Sequence, residues 1–172
     1  MKNWLKSKLN WFVSSPSEDE YEECIRDLIK DKQVASMRNF IQHGDTNTLE
    51  HSLNVSYFSY RICKNFGLDY KAAARGGLLH DFFLYDWHGG KDYKGFHGLK
   101  HPGIALKNAE AKFELSDKER DIIKKHMWPL TVSLPRFRES FVVIMMDKYC
   151  SLAEVMAKSQ KAARRFRALF EI

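Results

Sequence analysis

Cysteine is scarce in this chain of 172 residues: Cys24, Cys63 and Cys150 are scattered, and no two of them form a CxxC pair. A thiolate zinc site is therefore disfavoured, and a reduced, cytoplasmic compartment is the simplest expectation. Long apolar runs are missing too, so no segment predicts a transmembrane helix. The opening stretch, MKNWLKSKLNWFVSS, is interrupted by Lys2, Lys6 and Lys8 and does not read as a signal peptide. No alternating apolar–polar pattern marks a strand, no internal repeat recurs, and no shift in composition marks a domain boundary.

What is present is apolar and basic. Hydrophobic residues make up 44% and aromatics 13%, which suits one globular domain with a sizeable core. The formal charge of +6 fits an anionic substrate or surface and says nothing about fold. The chemistry therefore has to be sought in the spacing of individual residues.

Helical spacing runs through nearly the whole chain. Trp4, Leu5, Leu9 and Phe12 predict an amphipathic helix over residues 1–16, expected to pack on the domain or a partner rather than lie in a membrane interface. Residues 17–172 then form the domain. Ser17 and Glu20 suit a capping box, followed by Tyr21, Cys24, Ile25, Leu28 and Ile29 on one face. Val34, Met37, Phe40 and Ile41 make a second apolar segment, ended by turn residues from His43 to Asn47.

A long helix begins at Thr48, carries Leu49, Leu53, Val55, Phe58 and Ile62, and stops at Gly67. Asp69 opens the next, whose interior glycines, Gly76 and Gly77, each cost about 1 kcal/mol against Ala and so demand a packing reason. From Phe82 to Lys100 the pattern dissolves into a Gly- and aromatic-rich loop, expected to act as a lid. His101-Pro102 opens another helix, Ser116 with Glu119 caps the next, and a last long helix starts near Arg136. The fold expected is all-α, a bundle of roughly seven to nine helices.

Five residues interrupt this apolar patterning. His51, His80, Asp81, His126 and Asp147 each put a nitrogen or carboxylate on or beside an apolar face, and His101 starts a helix directly after the loop. Each buried polar group would need its own partner. One or two divalent metals would satisfy them all. Nitrogen and oxygen ligands suit Fe, Mn, Co, Zn or Ni without choosing between them.

The ordered set His51, His80-Asp81, Asp147, in the stretches LEHSLNVSYFSYRIC, AAARGGLLHDF and SFVVIMMDKYCSLAEV, resembles the HD superfamily of metal-dependent phosphohydrolases. The resemblance spans roughly residues 35–160. It implies a helical HD-type domain in which these four residues bind one metal and the His80-Asp81 pair is catalytic. KHPGIAL and IIKKHMWP further resemble the added histidines of dinuclear members, such as cyclic dinucleotide phosphodiesterases and HD-type diadenosine tetraphosphate hydrolases. Carried over, Asp81 would bridge two metals, with His101 and His126 on the second. Fe or Mn is the metal the resemblance favours.

The chain departs from the family where many members have a Lys three residues after the Asp; here that position is Leu84. The Gly-Tyr-Pro signature of one subgroup is also absent.

A metal-bound water has its pKa lowered toward about 7, which makes hydroxide available at neutral pH without a Ser or Cys nucleophile. The function expected is cleavage of a phosphoester or phosphoanhydride in a nucleotide-like small molecule; the alternative is a metal- and nucleotide-binding sensor without turnover. Lys100, Lys125 and Lys148 flank the ligands and suit phosphate contacts, or equally a solvated helix face. Tyr85, Trp87, Tyr93, Phe96 and Trp128 suit stacking on a base, or covering of the core, and Lys100, Lys148 and Trp87 are the expected substrate contacts. Asn54 and Asp86 are candidates to assist. The basic tail, Lys158 to Arg167, fits a solvated amphipathic helix as well as nucleic acid, so nucleic acid is not the expected partner. A homodimer is left open.

Overall fold

A computed structural model describes residues 18–43, 45–86 and 97–170 of the chain. The expected N-terminal helix, its boundary with the domain at residue 17, and Trp87, Tyr93 and Phe96 lie outside the described residues. So does the middle of the expected lid.

The all-α expectation holds: seven α-helices stand among the described residues. They are α1 (Glu18–Lys30), α2 (Lys32–Ser36), α3 (Thr48–Asn65), α4 (Tyr70–Leu79), α5 (His97–Glu110), α6 (Asp117–Lys125) and α7 (Arg138–Phe170). No helix among them is long and apolar enough to cross a membrane.

Two expectations need correction. The second apolar segment is helical only as far as Ser36; it continues as a single 3₁₀ turn, Met37–Asn39, and then a strand. That strand, β1 (Ile41–His43), pairs antiparallel with β2 (Thr46–Asn47), although no strand was expected. Strands of three and two residues are too short to show an alternating pattern. The other correction concerns α5, which starts at His97 rather than His101, so Pro102 lies inside the helix. The loop before it starts inside the core: Phe82 and Phe83 are fully buried, and Asn108 Nδ2 donates to the Phe82 carbonyl at 2.9 Å.

The caps explain where the central helices begin and end. The Asn47 side chain accepts from Glu50 N at the start of α3, and Asp69 accepts from Ala72 N at the start of α4. Between them Gly67 adopts φ 63°, and Leu68 N returns to Cys63 O at 2.8 Å. Left-handed backbone suits Gly because it has no Cβ to clash. Ser116 and Glu119 form the expected capping box on α6.

Packing accounts for the two interior glycines. A Cβ on Gly77 would stand 2.9 Å from the Ser56 Cα, so α3 and α4 meet backbone to backbone. One on Gly76 would stand 2.8 Å from the Ile122 side chain of α6. Ser56 Oγ also donates to the Ala74 carbonyl at 2.6 Å, and Tyr21 OH donates to Ser56 Oγ at 3.0 Å, which ties α1 to this contact. Apolar clusters flank the seam, one around Ile25, Leu28, Leu78 and Phe82, the other around Val55, Ile122, Val143 and Cys150. All three cysteines are buried and free.

Candidate metal centre

The tight α3–α4 seam places His51 of α3 beside the end of α4. His80 caps the C-terminus of α4, with Asp81 directly after it; His126 caps α6, His101 lies on α5 and Asp147 on α7. All six are buried. The structure thus brings together every residue expected to bind metal, from five helices.

Asp81 stands at the middle. Its Oδ2 lies 3.3 Å from His80 Nε2 and 4.0 Å from His51 Nε2. Its Oδ1 lies 3.1 Å from His101 Nε2 and 3.5 Å from His126 Nε2. Asp147 Oδ1 completes the first half, 3.2 Å from His51 Nε2 and 3.7 Å from His80 Nε2. Candidate ligand atoms of His51, His80 and Asp81 lie within 4.8 Å of one another, and so do those of Asp81, His101 and His126.

Backbone carbonyls orient two of the rings. His80 Nδ1 lies 2.8 Å from Gly77 O, and His126 Nδ1 lies 2.9 Å from Ile123 O. A carbonyl only accepts, so each Nδ1 carries a proton, which leaves each Nε2 facing the centre as the atom a metal would take. His101 Nε2 and His126 Nε2 are 2.7 Å apart, a separation that calls for a proton or a cation between them.

Burial and mutual charge set the protonation. For Asp81 burial works upward, yet His80 and His101 hold it well below the usual carboxylate range. For His51 burial works downward, but Asp147 and Glu154 push it up to about 9. Burial, reinforced by His80, drives His126 down to about 3, so His126 is neutral.

A divalent metal fits these residues on an observation internal to the site. Among the described residues, His80 Nε2 and Asp81 Oδ1 are buried without a hydrogen-bond partner. Leaving such groups unpaired costs free energy, and both face the other candidate ligands. The donors are imidazole nitrogens and carboxylate oxygens, as first-row divalent metals accept.

Other expected residues fall outside this set. Lys148 is half-exposed, its Nζ 3.9 Å from Asp147 Oδ2 at the margin of the centre. Lys100 is exposed on α5 and lines a groove with Lys107 and Lys124. Lys125 does not face the centre: its Nζ lies 2.8 Å from Asp121 Oδ1 and donates to Leu134 O at 2.8 Å. Trp128 packs edge-on against Phe141, with centroids 5.9 Å apart. Asn54 is half-buried and Asp86 exposed.

Two contacts were not foreseen. Gln42, on β1, donates from Nε2 to Asp81 Oδ2 at 2.5 Å. Glu154 Oε2 lies 3.0 Å from His51 Nδ1. Glu154 could have been found, since it follows Asp147 by seven residues and so shares its helix face. Nothing in the local pattern marks Gln42.

The sequence matches the model of one protein family, described as HD domain, over residues 48–149. No curated protein and no solved structure gives a significant match to the chain.

Proposed function

Since the chain belongs to the HD-domain family, a superfamily of metal-dependent hydrolases, we propose that it is a phosphohydrolase acting on a phosphoester or phosphoanhydride of a nucleotide-like small molecule. The observation that carries this reading is the Asp81 carboxylate set between two histidine pairs, with Asp81 Oδ1 and His80 Nε2 left without hydrogen bonds.

His51, His80, Asp81 and Asp147 would hold one divalent ion, and Asp81, His101 and His126 a second, with Fe or Mn favoured. Ions bound there would supply Lewis acidity and lower the pKa of water, which suits attack on phosphorus. The chain's own part is to fix positions. Helix-end carbonyls lock the tautomers of His80 and His126, so these rings need no rearrangement. Burial excludes bulk water and strengthens the electrostatics of the site.

Substrate contacts come from the margin. Leu84 packs against the apolar core and offers no charge. Lys148, beside Asp147, takes the phosphate-contact role in this reading, with Lys100 at the head of α5 as the second cation and Trp87 stacking on the base. The Leu84 position is also the one observation that favours a sensor without turnover, because a cation common in the family is missing from it.

Metal analysis of the purified full chain, with a phosphate-release screen over a nucleotide panel in Mn²⁺ and Fe²⁺, decides between these readings. Bound metal and turnover of any phosphoester or anhydride support the enzyme. Metal and nucleotide binding without release support the sensor, and a chain that takes up no metal overturns both.

A further inference from the structure

One buried carboxylate near the centre belongs to neither group of candidate ligands. Glu154 lies on α7 two turns beyond Asp147, and its side chain is 5% exposed. Its Oε2 is 3.0 Å from His51 Nδ1, while its Oε1 is buried with no hydrogen-bond partner. The opposite nitrogen of the same ring, Nε2, faces Asp147 Oδ1 at 3.2 Å. The His51 imidazole is thus gripped lengthwise by two carboxylates of one helix, whose seven-residue spacing is about 10 Å along the axis.

Glu154 is on the wrong side of the ring to share a metal with Nε2. It is on the right side to fix that ring. An ionised carboxylate only accepts, so it places the proton on Nδ1 and leaves Nε2 for a metal. His80 and His126 have neutral carbonyls in the corresponding place, Gly77 O and Ile123 O. A hydrogen bond to a charged acceptor is roughly twice as strong, and a carboxylate behind a ligating imidazole raises its basicity. Among the described residues the hydrogen bond of this buried carboxylate goes to His51, and burying such a group is costly unless it is paired.

We propose that Glu154 is the positioning residue of His51: it sets the tautomer and ring plane and so tightens metal binding at the half of the centre formed by His51, His80 and Asp147. The proposal rests on the reading that the centre holds metal, and its test separates the two.

Metal-free wild type, Glu154→Gln and Glu154→Leu are titrated with Mn²⁺, free ion being followed by electron paramagnetic resonance. Melting of each metal-free protein reports folding. Glu154→Gln keeps the shape and a neutral acceptor, so its tightest binding step is expected to weaken about tenfold, and that of Glu154→Leu up to about a hundredfold. In ¹⁵N-histidine spectra of the Zn²⁺-loaded wild type, the His51 Nδ1–H proton should be strongly deshielded, shifted in Glu154→Gln and lost in Glu154→Leu. A wild type that binds no metal removes the metal reading and this proposal with it. Normal metal binding by the wild type with unchanged affinity in both variants overturns the proposal alone. Should neither variant fold, the wild-type spectrum decides, and a His51 Nδ1 without a carboxylate-bound proton in the Zn²⁺ form overturns it.

Discussion

His80 and His126 occupy the same station on two different helices. Each caps a C-terminus, each holds Nδ1 within 2.9 Å of the carbonyl three residues back, and their rings meet edge to face at 4.9 Å. The last carbonyls of a helix lack intrahelical partners. Here two of them are satisfied by imidazoles, and the same bonds aim both Nε2 atoms at Asp81. Helix termination and ring orientation are one device.

Asp81 serves both histidine pairs, so Asp81→Ala should empty both halves of the centre. We expect loss of bound metal and of hydrolysis with helix content retained. Elemental analysis and far-ultraviolet circular dichroism measure the two properties, and full metal in the variant would show that the centre lies elsewhere.

The double variant His101→Ala/His126→Ala removes ligands from one half only. Metal content should fall from about two ions per chain to about one, in keeping with a two-metal site. A wild type that never exceeds one ion at saturating Mn²⁺ would refute a second position.

Acid should compete with metal for His51. Its carboxylate neighbours keep the ring protonated up to about 9, and a metal on Nε2 has to displace that proton. Affinity is therefore expected to rise as pH goes from 6 to about 9, with proton release on binding. Calorimetry in buffers of differing ionisation enthalpy reads that release; none at pH 7 would contradict the assignment.

Gly77→Ala should separate the α3–α4 seam. The new Cβ meets the Ser56 backbone at 2.9 Å, which cannot yield as a side-chain tip would. Overpacking of this kind costs about 1–3 kcal/mol, read as a lowered urea midpoint. Because His51 and His80 flank that seam, metal affinity should fall as well.

Asp121 joins α6 to the start of α7, accepting from Arg136 N at 2.9 Å and from Ser140 Oγ at 2.7 Å. Burial works to raise its pKa, but Lys125, Ser140 and the Arg136 N–H prevail and hold it below its usual 3.8. A depressed carboxylate stabilises the fold above its unfolded pKa, and that stability is lost as pH falls through the folded value. Asp121→Asn should therefore cost about 1–3 kcal/mol at pH 7. The gap from wild type should close below pH 3.8, as denaturation curves at several pH values would show.

Five of the candidate metal-binding residues stand out in the sequence because each breaks an apolar helical pattern: Asp147 ends a hydrophobic run, and His126 follows Ile122 by one turn. Gln42 was not, since its partner Asp81 is 39 residues away and its strand is three residues long. Lys125 was open between a phosphate contact and a solvated helix face because sequence shows its neighbour His126 and not its partner Asp121 one turn back. The start of α5 was misplaced because Pro102 signals a first turn, whereas here the helix runs through it from His97. The paired glycines, by contrast, announced a close approach that only the neighbouring helices could explain.

Helix α7 runs unbroken from Arg138 to Phe170, and both carboxylates that grip His51 ride on it. Asp147 and Glu154 therefore share one backbone support. A rigid-body shift of α7 would carry both carboxylates away from His51 together, one from each nitrogen of the ring.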